Sequence, residues 1–248
     1  GKNYVVDLFE VKGGETHDYF LHGSADESGE IQTDSELSAL DTTLVPEWGG
    51  QNEYEGENCL DLSGERFHSY WFLRNIRTAD PDGVFKITWV YGNVGLRAHF
   101  VPTDDVVLYV FDSPSIRQAE EDNRRLEDFT RHGACIRRKG PASFFITVLE
   151  PFGDSPYISS VRPIEHGLEI TYDGRSDRVF WDEEDRIVVQ SADWEYDSGI
   201  CQRSVLKSII FNENGQNVFV TNTPLSQGSF VSLTIGETVM GFPVSGRE

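Results

Sequence analysis

The chain has 248 residues, enough to bury a sizeable core in one large domain or two small ones. Lys+Arg 21 against Asp+Glu 42 leaves a formal net charge of −21, which argues against a nucleic-acid binder or a partner of acidic membranes, because both need a basic surface. No run of eighteen apolar residues is present, so no segment reads as a membrane-spanning helix.

The first elements lie at the amino end. Tyr4–Val11, a Gly13-Gly14 turn and His17–His22 predict a β-hairpin. Val5, Asp7, Phe9 and Val11 share one face of its first strand, and Tyr4, Val6, Leu8 and Glu10 share the other. Both faces are largely apolar, which places the hairpin inside a stack of sheets. Gly23 to Leu44 reads as a long surface loop with one helical turn capped by Asp34 or Ser35. Pro46-Glu47-Trp48-Gly49-Gly50 is a turn, and strands resume at Cys59–Leu62 and Tyr70–Ile76.

From there the strand signal is dense. Phe85–Tyr91 and Gly95–Val101 flank a Gly92-Asn93 turn, the loop length and chemistry of a hairpin. Val106–Phe111 is apolar throughout, as expected of a strand covered on both faces. Ser115–Arg131 is a charged stretch that fits a short helix or an excursion loop. Ala134–Arg137 and Ser143–Glu150 are strands, and Arg137-Arg138-Lys139 before Gly140-Pro141 reads as a solvated loop. Then come Gly167–Tyr172, Asp177–Trp181, Arg186–Ser191, Ser204–Phe211, Gln216–Thr221 and Phe230–Ile235, with hairpin turns at Asp173-Gly174 and Asn214-Gly215.

The fold class is therefore all-β, an antiparallel β-sandwich or stacked multi-sheet with at most one or two short helices. A first unit spans residues 1–160, and a smaller meander, 161–248, packs on it across a soft boundary. Cys59, Cys135 and Cys201 form no CxxC pair and read as buried thiols, with one disulfide left open. The chain enters a core strand almost at once, as an excised part of a longer protein would.

Two patches resemble one family. Tyr4–Val11, Gly13-Gly14 and His17-Asp18-Tyr19-Phe20-Leu21-His22-Gly23 resemble a segment of the heparinase II/III-like polysaccharide lyases, from the β-sandwich that follows an α-helical toroid. Ser143–Phe152, with Pro156-Tyr157-Ile158, resembles a later sandwich strand and its closing turn. The likeness covers residues 4–165. It implies a secreted or periplasmic parent that cleaves a uronate-containing polysaccharide by β-elimination, with the toroid and the polysaccharide as partners. In that family a tyrosine of the toroid and a histidine of an early sandwich strand, beside a His/Asp/His metal site, perform the chemistry. This chain holds no His-x-His with a following Asp-x-x-Ser/Asn and no His-Asn-Thr-Val strand, so no catalytic residue, metal ligand or cofactor is carried over. A metal is expected only in the upstream part. The acidic balance repels a polyanion, so either the basic subsites lie outside this chain or the substrate is weakly charged.

The local candidates for substrate contact are His17, His22, Trp48, Trp194 and Tyr196. His17 and His22 fall on opposite strand faces, and Asp18 and His22, though on one face, stand about 13 Å apart along a strand. No single metal is held by that set. Trp48, Trp194 and Tyr196 sit among polar neighbours, the setting in which an exposed ring stacks on sugar. An autonomous carbohydrate-binding or structural sandwich is the alternative function.

Overall fold

A computed structural model describes residues 3–46, 69–115, 117–118, 128–181, 187–191, 195–197, 206–211, 219–223, 230–235 and 238–243. The strands among them are β1 (Tyr4–Lys12), β2 (Thr16–His22), β3 (Glu30–Thr33), β4 (Ser38–Ala39), β5 (Arg74–Ala79), β6 (Phe85–Tyr91), β7 (Val94–Phe100), β8 (Val107–Pro114), β9 (Thr130–Lys139) and β10 (Ala142–Gly153). They continue with β11 (Ile158–Ile164), β12 (Gly167–Tyr172), β13 (Arg175–Trp181), β14 (Ile187–Gln190), β15 (Glu195–Asp197), β16 (Leu206–Phe211), β17 (Phe219–Thr223), β18 (Phe230–Ile235) and β19 (Thr238–Pro243).

Every pairing is antiparallel. A central sheet has the order β17-β16-β1-β10-β7-β6-β3, a second sheet β2-β9-β8-β5-β4, and a third β11-β12-β13-β14-β15; β18 and β19 pair with each other. The central sheet is covered on both faces. Tyr4, Val6, Leu8, Ile146 and Val148 pack against Val161, Leu168, Ile170 and Val179 of the third sheet. Phe85, Ile87, Trp89, Phe100 and Phe145 pack against Tyr19, Leu108, Val110, Ala134 and Ile136 of the second. The all-β stack expected from alternation is thus the observed one. The meander β11–β15 forms the third sheet, while β16 and β17 return to pair beside β1.

The expected hairpin is corrected. β1 pairs with β10 and β16, and β2 pairs with β9 in the other sheet. The link between β1 and β2 is an arch that carries the chain from one layer to the next. β9 and β10 make the matching crossing through Gly140-Pro141, and the two crossings are bonded together: Gly13 N–H donates to Pro141 O at 2.8 Å, and Gly140 N–H to Glu15 O at 2.9 Å. Gly13 and Gly14 both have positive φ, 91° and 83°, a geometry that lets the chain leave the plane of a sheet. A strand that is apolar on both faces needs cover on both, and pairing β1 in mid-sheet supplies it.

Two other expectations also change. No helical turn follows Asp34; its carboxylate accepts the backbone N–H of Lys86 at 2.8 Å instead of capping its own segment, and the chain runs on into β4. Tyr70–Ile76 is not one strand but a 3₁₀ turn, Ser69–Phe72, leading into β5.

Carboxylates set between the sheets tie the layers. Tyr19 Oη donates to Asp7 Oδ2 at 2.6 Å between the central and second sheets. Tyr4 Oη of the central sheet donates to Asp177 Oδ2 of the third at 2.5 Å, and Tyr172 Oη, also of the third sheet, donates to the same oxygen at 2.9 Å. Glu150, fully buried, meets His99 Nε2 at 2.9 Å and accepts the backbone N–H groups of Tyr157 and Ile158, the latter at 2.6 Å. That clasp fixes the chain where it leaves the central sheet for the third.

Candidate functional site

The outer face of the second sheet carries a cleft of about 1260 Å³. Ligand pockets for small molecules commonly hold about 300–1,000 Å³, so this one has room for an extended ligand. Strand alternation builds its floor. Thr16 and Asp18 of β2, Arg137 and Lys139 of β9, and Val107 and Tyr109 of β8 line it, and the register sets Asp18 opposite Arg137 and Arg137 opposite Val107. Leu40, residues 42–46 and Tyr70 form one wall, underlain by a small core of Leu44, Leu73, Ile76, Phe111 and Cys135.

The centre of the floor is a bidentate ion pair. Arg137 Nε and Nη2 donate to Asp18 Oδ1 and Oδ2, both at 2.7 Å, and Tyr70 Oη donates to Oδ2 at 2.9 Å. Arg137 Nη1 donates to the carbonyl of Leu44, which draws the wall down onto the sheet. The guanidinium lies 5.3 Å over the Tyr109 ring, a cation–π distance. Hydrogen bonding to Asp18 holds the Arg137 pKa above its usual range. Burial, followed by the Asp18 charge, pushes the Tyr70 hydroxyl up, and burial raises Tyr109. Both phenols therefore stay protonated at neutral pH and present O–H donors, not phenolate bases.

The basic run read as a solvated loop is the end of β9 instead. Alternation turns Arg137 and Lys139 into the cleft and Arg138 inward, where it is buried and donates to Thr103 Oγ1 at 2.9 Å, to Phe144 O at 3.0 Å and to the Asp104 carboxylate.

The sequence candidates fall elsewhere. His17 is 6% exposed under the arch. Its Nε2 meets Gly13 O at 2.5 Å and its Nδ1 meets Ser143 Oγ at 2.7 Å. A carbonyl only accepts, so Nε2 carries the proton, and both ring nitrogens are engaged. His22 lies at the far end of β2 from the cleft, stacked on Phe20 and edge-on to Phe111, with Ser113 Oγ 3.4 Å from Nδ1. Burial, then the Arg131 charge, lowers its pKa. Trp48 and Trp194 lie outside the described residues, and Tyr196 is placed only as part of β15. Cys135 is a free, fully buried thiol whose pKa burial raises; Cys59 and Cys201 lie outside the described residues.

A second polar cluster closes the other end of the sheet. His132 Nδ1 meets Asp112 Oδ1 at 2.6 Å, and Asn75 Nδ2 donates to Asp112 Oδ2 at 2.7 Å. Asn75 adopts φ 50° at the irregularity in the β5–β8 pairing. Among the described residues no group of three or more His, Cys, Asp or Glu is arranged to hold a metal ion. No protein-family model matches the chain, and no curated protein matches it.

Sequence reasoning singled out the strand that carries Asp18 but missed Arg137, Tyr70 and Tyr109. Tyr109 was open to detection as a phenol inside the otherwise apolar Val106–Phe111 run, because a tyrosine there needs a polar outlet for its hydroxyl.

Proposed function

We propose that this chain is the β-sandwich region of a heparinase II/III-like polysaccharide lyase, and that its cleft forms part of the wall along which the polysaccharide lies. The observation that carries the reading is Asp18. It belongs to the His17–Gly23 motif that resembles the family, and it lies at the centre of a cleft with two tyrosine rings and a guanidinium. Rings that offer a face to sugar C–H groups, beside charged groups that bond hydroxyls, are the chemistry of glycan recognition.

In β-elimination a cationic or hydrogen-bonding group neutralises the uronate carboxylate, a base removes the C5 proton, and an acid protonates the departing glycosidic oxygen. This chain's part is positional. Its protonated phenols and its paired arginine orient sugar, while the base and acid come from the toroid and an early sandwich strand upstream in the same polypeptide, in a secreted or periplasmic parent.

The test is an elimination assay on this chain alone and on the polypeptide extended upstream, following the ultraviolet absorbance of the unsaturated product. The chain alone is expected to be flat and the extended protein active. An extended protein that binds polysaccharide but forms no unsaturated product sinks the reading. An autonomous carbohydrate-binding module is the second reading, favoured by one feature: Tyr70, Tyr109, Asp18 and Arg137 meet in one cleft of this chain.

A further inference from the structure

The cleft offers one clue to which sugar it takes. Among the described residues that line it, Arg137 is the one arginine, and three of its five N–H donors are engaged, Nε and Nη2 on Asp18 and Nη1 on the Leu44 carbonyl. Lys139 is the other cation among the described residues that line it. Against these two stand Asp80, Asp82, Asp104 and Asp105, all exposed on the rim, and among the described residues only Asp104 has a cationic partner, Arg138. An ionised carboxylate accepts hydrogen bonds and donates none. Such a rim suits hydroxyl groups, which can donate to it. A uronate carboxylate has no proton to give and meets like charge.

We propose that this cleft binds an uncharged sugar residue of the polysaccharide, with its apolar face toward Tyr70 and Tyr109 and its hydroxyls donating to Asp82 and Asp105. The proposal rests on the reading of the cleft as a glycan site. It divides recognition of an alternating polymer in two: uronates are held by basic subsites outside this chain, and the neutral residue between them is held here. That division accounts for an acidic protein acting on an anionic polymer.

The experiment is isothermal titration of the 248-residue chain with neutral hexasaccharides (cellohexaose, mannohexaose and xylohexaose) and with hexagalacturonate and hexaguluronate. At least one neutral hexamer is expected to bind at least tenfold more tightly than either uronate hexamer. Tyr109→Ala should weaken that binding tenfold or more. The double variant Asp82→Lys/Asp105→Lys alters exposed side chains and leaves the core intact, so it keeps the test open if Tyr109→Ala fails to fold. It should weaken neutral binding and raise uronate binding, and added salt should narrow the wild-type discrimination because exposed charges are screened. Uronate hexamers binding as tightly as the neutral ones, no hexamer binding, or neutral binding indifferent to the double variant each overturn the proposal. Elimination by the upstream-extended protein is read separately, so an active lyase with no neutral binding here refutes this inference alone.

Discussion

Tyr4 Oη donates to Asp177 Oδ2 at 2.5 Å across 173 positions of sequence, so the first strand of the chain holds the third sheet against the central one. Asp177 is fully buried, its Oδ1 has no hydrogen-bond partner among the described residues, and Tyr172 is a second donor to Oδ2. Burial, followed by the Asp177 charge, pushes the Tyr4 hydroxyl well above its ordinary pKa, so it remains a donor across the working pH range. Tyr4→Phe keeps the ring and removes the donor, leaving a buried carboxylate less satisfied. The expected loss is about 1–3 kcal/mol of stability, read by denaturant unfolding. A change below about 0.5 kcal/mol would mean that this bond does not secure the layers.

Asp7 makes the opposite pH prediction from a surface carboxylate. Burial between the central and second sheets raises its pKa, and the Tyr19 hydrogen bond offsets only part of that. A carboxyl whose folded pKa is raised favours the fold when protonated. Its contribution is fully present below the unfolded value of about 3.9 and is lost as pH rises through the folded one. Asp7→Asn should therefore be more stable than the wild type at pH 7, with the gap closing on acidification toward pH 4. Thermal unfolding across that range decides it, and a gap that widens in acid contradicts the assignment.

The Asp18–Arg137 pair is largely buried, with side-chain exposures of 9% and 11%. Removing one partner strands the other charge, so Asp18→Ala or Arg137→Ala should each cost about 3–5 kcal/mol. Replacing both together, as Asp18→Leu/Arg137→Met, should recover most of that loss. Arg137→Lys keeps charge but loses the fork and the stacking on Tyr109, and should fall between wild type and Arg137→Ala. A double-mutant cycle gives the coupling, and additive single losses would remove the ion pair as the organiser of the cleft floor.

The strands were legible where local chemistry decides them. Phe85–Tyr91 alternates and pairs through the Gly92-Asn93 turn as read. Asp173-Gly174 turns with φ 47° and 73°, the doubly positive geometry that dipeptide favours. What alternation does not encode is the sheet a strand joins. The face pattern of β1 and β2 is the same in a hairpin and in an arch, and only their pairing with β10, β16 and β9, more than a hundred residues on, separates the two. The cleft was hidden for the same reason. Asp18, Tyr70, Tyr109 and Arg137 are distant in sequence, and Arg137 was masked by its two basic neighbours, one of which turns inward. His17 stood out as a chemical residue, yet its two ring nitrogens fasten the arch.

Glu150 is the most consequential single side chain for the crossing between the central and third sheets. One carboxylate oxygen accepts two successive backbone N–H groups, at Tyr157 and Ile158, and the other meets His99, all in a fully buried setting. Glu150→Ala would leave two amides and an imidazole without their acceptor. Each unsatisfied buried donor costs about 1–3 kcal/mol, so the sum is on the order of 3 kcal/mol or more. Glu150→Gln keeps one acceptor oxygen and should lose less. The local signature is hydrogen exchange at the Tyr157 and Ile158 amides, which should rise well before exchange at β6 and β7 in Glu150→Gln. Uniform acceleration across all strands would assign Glu150 to general core stability instead of to this crossing.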